Sequence, residues 1–246
     1  MDRVCELLHV SPAEVWAVLA VESEGFGFLP DRRPRMLFER HVFRQVTRGR
    51  FDRQHPDLSN RRRGGYAGGA GEYRRLERAM TLQHDAALES ASWGIAQVMG
   101  FNHRAAGFST VGAMVTVLID DENAQTAAMA HFISDEGLDA PLRDLDWISF
   151  ARGYNGPAYK ATSYDTRLAA AHEQFTKRLP DFSVRTAQAA LVFLGFDPGP
   201  VDGVHGRRTR RALAAYQQAR ALPETGELTP QTTATLIREA FPPGGV

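Results

Sequence analysis

Between Ser11 and Glu22 the chain carries apolar residues at helical spacing, with Val15, Val18 and Leu19 followed by Glu22 at i, i+3, i+4 and i+7. Ser11 in the cap position, Pro12 at the first helical position and Glu14 three residues after the cap form a capping box, so a helix is predicted to start there. Its apolar stripe ends in a carboxylate, Glu22, set on the core side. Gly25 and Gly27 stop the helix, and Pro30, Asp31 and Pro34 cannot continue it. Helical patterns resume over about 72–90, 110–134, 146–154 and 164–178. Val111, Met114, Val115 and Leu118 form one stripe, and Tyr164, Leu168, Ala171 and Phe175 another. The stretch 51–73, rich in Arg, Gly, Asn and Pro, reads as a long irregular excursion. No strand ladder is expected before residue 180, apart from a short extended piece at 35–38. Residues 1–178 are therefore expected to form one mainly helical domain.

A linker is expected over 179–183, followed by a compact unit over 184–246. Ser183 is placed to cap a helix carrying Val184, Ala187, Leu191 and Leu194, which Gly195 closes. A turn-rich loop spans 197–206. Thr209 is placed to cap a second helix with Leu213 and Tyr216, and Thr229-Pro230 to open a third with Leu236 and Ile237. The expected fold is thus mainly α, a helical domain followed by a small three-helix domain.

Composition narrows the function classes. At 246 residues, 43% hydrophobic and 24% charged, the chain is long enough for a real core and is neither fibrous nor wholly disordered. Basic and acidic residues number 29 each, which removes the general electrostatic argument for a nucleic-acid partner. No run of 18 apolar residues and no signal-like N-terminus is visible, so no membrane insertion is expected, and synthesis in the cytoplasm without a Sec signal is. A monomer is the default expectation. Cys5, the single cysteine, is read as a small buried thiol.

Glu22 is the best chemical candidate. A carboxyl withdrawn from water beside Val18, Leu19 and Trp16 or Phe26 has a raised pKa and can donate a proton at neutral pH; the alternative is a helix-end Glu bonded to a nearby amide. The histidines include no H-E-x-x-H pair, and no G-x-S-x-G is present, so neither zinc nor a serine nucleophile is expected, and no metal or cofactor is called for.

Three motifs then occur in order: Glu22-Ser23, Gly94-Ile95-Ala96-Gln97-Val98-Met99, and Ala151-Arg152-Gly153-Tyr154-Asn155-Gly156-Pro157. They resemble the motifs of the lysozyme-like superfamily of goose-type lysozymes and soluble lytic transglycosylases. The stretch from Glu22 to His41, ESEGFGFLPDRRPRMLFERH, is closer still to the phage-type N-acetylmuramidases of modular endolysins. That resemblance covers roughly residues 5–178. It implies a lysozyme-like helical domain that acts on bacterial peptidoglycan, with Glu22 as the general acid at the bond between N-acetylmuramic acid and N-acetylglucosamine. Gln97 and Met99 would line the sugar groove together with Phe38, and Tyr154 and Asn155 would form the opposite wall, the tyrosine hydroxyl near the scissile bond. On residue chemistry alone, Met99 is more often a core residue than a groove residue, and Asn155-Gly156-Pro157 is a turn.

A hydrolase also needs a group to activate water or stabilise the oxocarbenium-like transition state. Glu39, inside the hallmark stretch, is the first candidate, with an ion pair to Arg40 or another arginine as its structural alternative. Asp85 and Glu89 are weaker candidates. Without a second carboxylate the substrate's own hydroxyl could attack, as in lytic transglycosylases. The unit after residue 184 resembles the small three-helix peptidoglycan-binding module through Leu194-Gly195-Phe196, Asp202-Gly203, Gly206, Thr209, Tyr216-Gln217 and Thr225-Gly226. The resemblance makes Asp202, Gly203, Gly206 and Thr209 the loop of a wall-binding module. The whole reads as an endolysin that waits in the cytoplasm and acts on the wall after release. A lytic transglycosylase and a non-catalytic wall-binding protein are the rivals.

Overall fold

The computed structural model describes residues 1–23 and 25–241; Glu24 of the hallmark stretch and residues 242–246 of the C-terminal unit lie outside the described residues. After a short α1 (Asp2–Leu8), the central helix α2 (Pro12–Ser23) begins at the predicted cap. The amide of Ala13 donates to Ser11 Oγ at 3.3 Å, and the Ser11 hydroxyl donates to the Glu14 carboxylate. This capping closes on the hydroxyl instead of the Ser11 amide. Val15, Trp16, Ala17, Val18 and Leu19 are all buried, so α2 is enclosed on every side through its middle turns and does not merely present one apolar stripe. α10 (Tyr164–Lys177) packs along it, with the Trp16 and Phe175 rings 6.2 Å apart.

A small antiparallel sheet is added to the mainly helical fold, beyond the short extended piece expected at 35–38. β1 (Met36–Phe38), β2 (Ala91–Trp93) and β3 (Val98–Met99) pair in that order, with Leu37 opposite Ser92 and Ser92 opposite Met99. Strands of two or three residues are too short to show alternation, and only the 35–38 piece left a trace in the pattern. The predicted helix over 72–90 is two helices, α4 (Gly71–Leu82) and α5 (His84–Glu89), because Gln83 is extended. The one over 110–134 is likewise α6 (Val111–Asp120) and α7 (Glu122–Asp135), parted at Asp121, whose side chain caps α7.

The 51–73 excursion is only partly irregular and exposed. Phe51 stacks on Phe43 of α3 (Arg40–Val46) at 5.7 Å, and Leu58 is fully buried. Glu72, at the start of α4, is also fully buried and accepts from the amides of Phe38, Ala67 and Gly68 and from Arg75 Nη1, the last at 2.7 Å. α8 (Asp139–Arg143) and α9 (Trp147–Asn155) complete this domain.

The connection to the C-terminal unit is shorter than the expected linker. α11 (Phe182–Phe193) starts inside it, capped by Asp181, which accepts from the amides of Ser183 and Val184, so Ser183 is not the cap. α12 (Arg207–Ala219) starts before Thr209, with Gly206 in the cap position, and Thr209 is buried inside the helix. α13 (Pro230–Ala240) is capped by Thr229 as predicted. One device is used twice in this unit. Gln188 accepts from the amide of Gly203 at 2.9 Å and donates to Thr209 Oγ1 at 3.0 Å. Gln217 accepts from the amide of Gly226 at 2.8 Å and donates to Thr232 Oγ1 at 3.0 Å. Each buried glutamine fastens the loop that follows its helix to the next helix, so its amide dipoles are satisfied within the core. Tyr216, Leu213, Leu191 and Leu236 fill the space between the three helices.

Candidate active site

Glu22 stands in the last turn of α2, where Ser23 Oγ donates to Leu19 O at 3.1 Å and Arg167 Nη2 to Val21 O at 2.8 Å. The arginine thereby satisfies one of the carbonyls that a helix C-terminus leaves open. The Tyr164 hydroxyl, from the first residue of α10, donates to Glu22 Oε1. Burial pushes the Glu22 carboxyl up to about 7, even though the Tyr164 hydrogen bond and the charge of Arg167 both pull it down. The Tyr164 ring lies nearly parallel to that of Tyr154, with centroids 6.5 Å apart. Both phenols are held well above their ordinary range, by burial first and then by the negative charge of Glu22, and so remain protonated. Tyr164 appeared in the sequence only as the first member of an apolar stripe. Nothing in its spacing marked a hydroxyl aimed across the bundle at residue 22.

Tyr154 is anchored from the other side. It stacks on Phe150 at 5.3 Å, and its hydroxyl donates to Ala96 O at 2.8 Å, in the turn between β2 and β3. Tyr154 therefore ties α9 to the hairpin and sits beside Tyr164, and through it beside Glu22. The hydroxyl, expected near the scissile bond, is bonded to this turn.

Gln97 was expected to offer its amide to a sugar. Instead its Oε1 accepts from Ser92 Oγ at 2.8 Å and its Nε2 donates to Gly94 O at 2.8 Å. Its φ of 50° lets the turn close within four residues, a left-handed conformation whose cost the two side-chain bonds offset. Met99 is half-buried at the end of the same hairpin, and Asn155 is exposed at the last residue of α9. Phe38 is fully buried against Phe43, with ring centroids 5.6 Å apart. It is a core residue and does not line an open groove, because the alternation of β1 turns it away from solvent. Gln125, which sequence reasoning did not single out, is buried under the turn. It accepts from the amide of Ile95 and donates to Leu118 O, both at 2.8 Å. A Cβ on Gly94 would come within 2.7 Å of it, so the glycine is required there.

Glu39 occupies the N-cap position of α3 just beyond β1, its side chain making no capping bond. Its carboxylate accepts from the Tyr66 hydroxyl at 2.9 Å and lies 3.0 Å from His41 Nδ1. The arginine partner weighed for it is replaced by a tyrosine and a histidine, while Arg40 turns to the carbonyls of Arg62 and Arg63. Asp85, paired with His84, is highly exposed, and Glu89 is at least partly buried at the end of α5. A cavity of about 560 Å³, lined by Trp16, Leu19, Glu122, Phe182 and Arg185 among others, lies beside α2. Neither Glu22 nor the two tyrosines lines it.

In the C-terminal unit Asp202 Oδ1 accepts from the amide of Val204 at 2.9 Å and from Gln188 at 3.2 Å. Thr209 Oγ1 donates to Pro198 O at 3.1 Å. A Cβ on Gly203 would come within 2.7 Å of the Asp181 amide. These residues, with Gly206 at the helix cap, build the loop, and their polar groups are spent on it.

Residues 11–176 match the N-acetylmuramidase family. The chain belongs to that family. Residues 182–236 match a second one, described as "Putative peptidoglycan binding domain". Among solved structures, a crystal structure of a Burkholderia AP3 phage endolysin is 41% identical, with a TM-score of 0.66 over 72% of this chain and 68% of that one. A curated relative, "Putative OxPP cycle protein OpcA" of Nostoc punctiforme, is 38% identical over 112 residues, which are 46% of this chain and only 22% of that protein. The fold is that of a lysozyme-like endolysin with a C-terminal peptidoglycan-binding domain, and the muramidase is an endolysin-like peptidoglycan hydrolase, a glycoside hydrolase of lysozyme type.

Proposed function

We propose that this muramidase cleaves the β-1,4 bond between N-acetylmuramic acid and N-acetylglucosamine, with Glu22 as the general acid. The observation that carries this reading is the carboxyl of Glu22, half-buried at a helix end and held near a pKa of about 7, with a phenol as its hydrogen-bond donor and no directly bonded cation among the described residues. A carboxyl in that state is about half protonated at pH 7 and can pass its proton to a departing glycosidic oxygen. The proton leaves Glu22 as the C–O bond breaks, and Tyr164 then stabilises the carboxylate that remains. Positive charge builds on the sugar ring, and we assign Glu39 to the water that meets it, with Tyr66 fixing the orientation of the carboxylate. We keep Met99 and Asn155, half-buried and exposed at the ends of β3 and α9, as groove residues.

We divide the labour between 1–178 as the catalytic unit and 184–246 as the unit that holds it on the wall, a reading supported by family matches over 11–176 and 182–236. Such tethering raises the local concentration of glycan without any new contact at the site. A second reading, lytic transglycosylation, is favoured by one observation, that both oxygens of Glu39 are already engaged by Tyr66. Mass spectrometry of borohydride-reduced fragments released from purified peptidoglycan separates the two. Reducible muramic acid ends that disappear in Glu22→Gln are expected. Non-reducible anhydro ends would establish the transglycosylase, and release that is unchanged in Glu22→Gln would remove Glu22 from the chemistry.

A further inference from the structure

Among the described residues, those between the end of α2 at Ser23 and the start of β1 at Met36 belong to no helix or strand, apart from one bridge between Phe28 and Pro34. The C-terminal unit holds Gly25, Phe26 and Arg32, while Glu122, Tyr73 and Gly94 of the catalytic domain hold Gly27, Pro34 and Arg35. Arg185 of α11 donates through Nη2 to Gly25 O at 2.7 Å and to Glu122 Oε2 at 2.6 Å, while Glu122 Oε1 accepts from the amide of Gly27 at 3.0 Å. One guanidinium therefore fixes both ends of the Gly25–Gly27 segment, directly at one end and through a carboxylate at the other. Its other face covers the Trp16 ring at 5.1 Å. Phe26 enters a small apolar cluster with Ala189 and Val201, and its ring is 5.5 Å from Phe193. Arg32 lies over Phe193 at 4.4 Å and donates to Ala240 O at the end of α13. The approach is close enough that a Cβ on Gly25 would come within 2.6 Å of Val201 O.

We propose that the C-terminal unit is part of the active-site scaffold as well as a wall anchor: Arg185 is a positioning residue that fixes the segment following Glu22, and with it the acid. The proposal rests on Glu22 being the acid. Its physical basis is geometric. Arg185, partly buried with Glu122, makes charge-assisted bonds that are stronger and more directional than neutral ones, and displacements of about 1 Å at a catalytic group cost up to a hundredfold in rate. A mere tether would leave turnover of a freely soluble substrate untouched, whereas a scaffold element does not.

The test compares full-length wild type, Arg185→Ala, Arg185→Lys and Phe193→Ala on peptide-free soluble glycan chains, with kcat and KM determined separately, and on sedimentation with purified sacculi. Arg210→Ala, which removes an exposed contact with Glu227, and Glu22→Gln are run alongside. We expect kcat to fall about tenfold in Arg185→Ala, less in Arg185→Lys and about threefold in Phe193→Ala. KM, sedimentation and Arg210→Ala should stay at wild-type values. Thermal unfolding verifies that each variant is folded, and if Arg185→Ala is not, Arg185→Lys and Phe193→Ala decide. Wild-type kcat in folded seam variants, or a rise in kcat, overturns the proposal. Full turnover in Glu22→Gln overturns the reading of the acid instead, whatever the seam variants do.

Discussion

Two glutamates of the catalytic domain are withdrawn from water, and their surroundings differ in a way that separates architecture from chemistry. Glu72 is fully buried between β1 and α4, yet it faces the Arg75 guanidinium and three backbone amides. Its charge is balanced and its lone pairs are occupied, so the carboxylate is a fixed part of the wall that carries β1. Glu22 has a phenol as its direct donor, and Arg167 acts on it only at a distance while bonding Val21 O. Partial burial without a directly bonded cation among the described residues holds that carboxyl near a pKa of about 7, so about half of it keeps its proton at pH 7. In the proposed reading it is the lack of a bonded cation among the described residues, not burial itself, that sets Glu22 apart from Glu72.

Substitutions at the two positions should diverge accordingly. Glu22→Gln removes the transferable proton and is expected to lower the rate about a hundred- to ten-thousand-fold, read as release of reducing ends from peptidoglycan. Its stability should change the other way. The folded pKa of Glu22, about 7, lies above the ordinary 4.5, so the wild type loses stability as pH rises from 4.5 through 7 while the glutamine variant does not. Denaturant melts at pH 8 should show Glu22→Gln more stable by roughly 2–3 kcal/mol, with the gap closing at pH 4. Glu72→Gln breaks a buried pair and strands Arg75, at a cost of about 3–5 kcal/mol in the same melts. The activity that remains in Glu72→Gln should follow its folded fraction.

Glu39→Gln is expected to slow hydrolysis about ten- to a hundredfold while wall binding is retained. An unchanged rate would assign that carboxylate to holding Tyr66 alone. The smallest effect belongs to Tyr164→Phe. Its hydroxyl lowers the Glu22 pKa, so its removal should move the basic limb of the pH–rate profile upward, above about 7. A downward move would mean that the bond favours the protonated acid.

How much of this was legible in the sequence depends on the range of each interaction. The start of α2, the stop at Gly25 and the cap at Thr229 depend on residues within one turn, and the chain spells them out. The position of Glu22 on the core side followed from helical spacing in the same way. Tyr164 and Glu22 are 142 residues apart, and Ala96 and Tyr154 are 58 apart, so no local pattern announces either pair. Gln97 and Phe38 were assigned to the groove because motif membership shows that a residue matters but not which way its side chain points. The hairpin of β2 and β3 turns Gln97 onto its own turn, and β1 turns Phe38 into the core. Thr209 was placed as a cap because threonine before a helical pattern commonly is one, and Gln188 claims its hydroxyl from inside.

The ionisation state of Glu22 is the claim on which the rest depends. A 13C NMR titration of its side-chain carboxyl, assigned by difference against Glu22→Gln in the full-length protein, reads that state directly. The account predicts a midpoint near 7. A midpoint near the ordinary glutamate value of 4.5 would mean that the carboxyl is ionised at neutral pH and cannot be the acid.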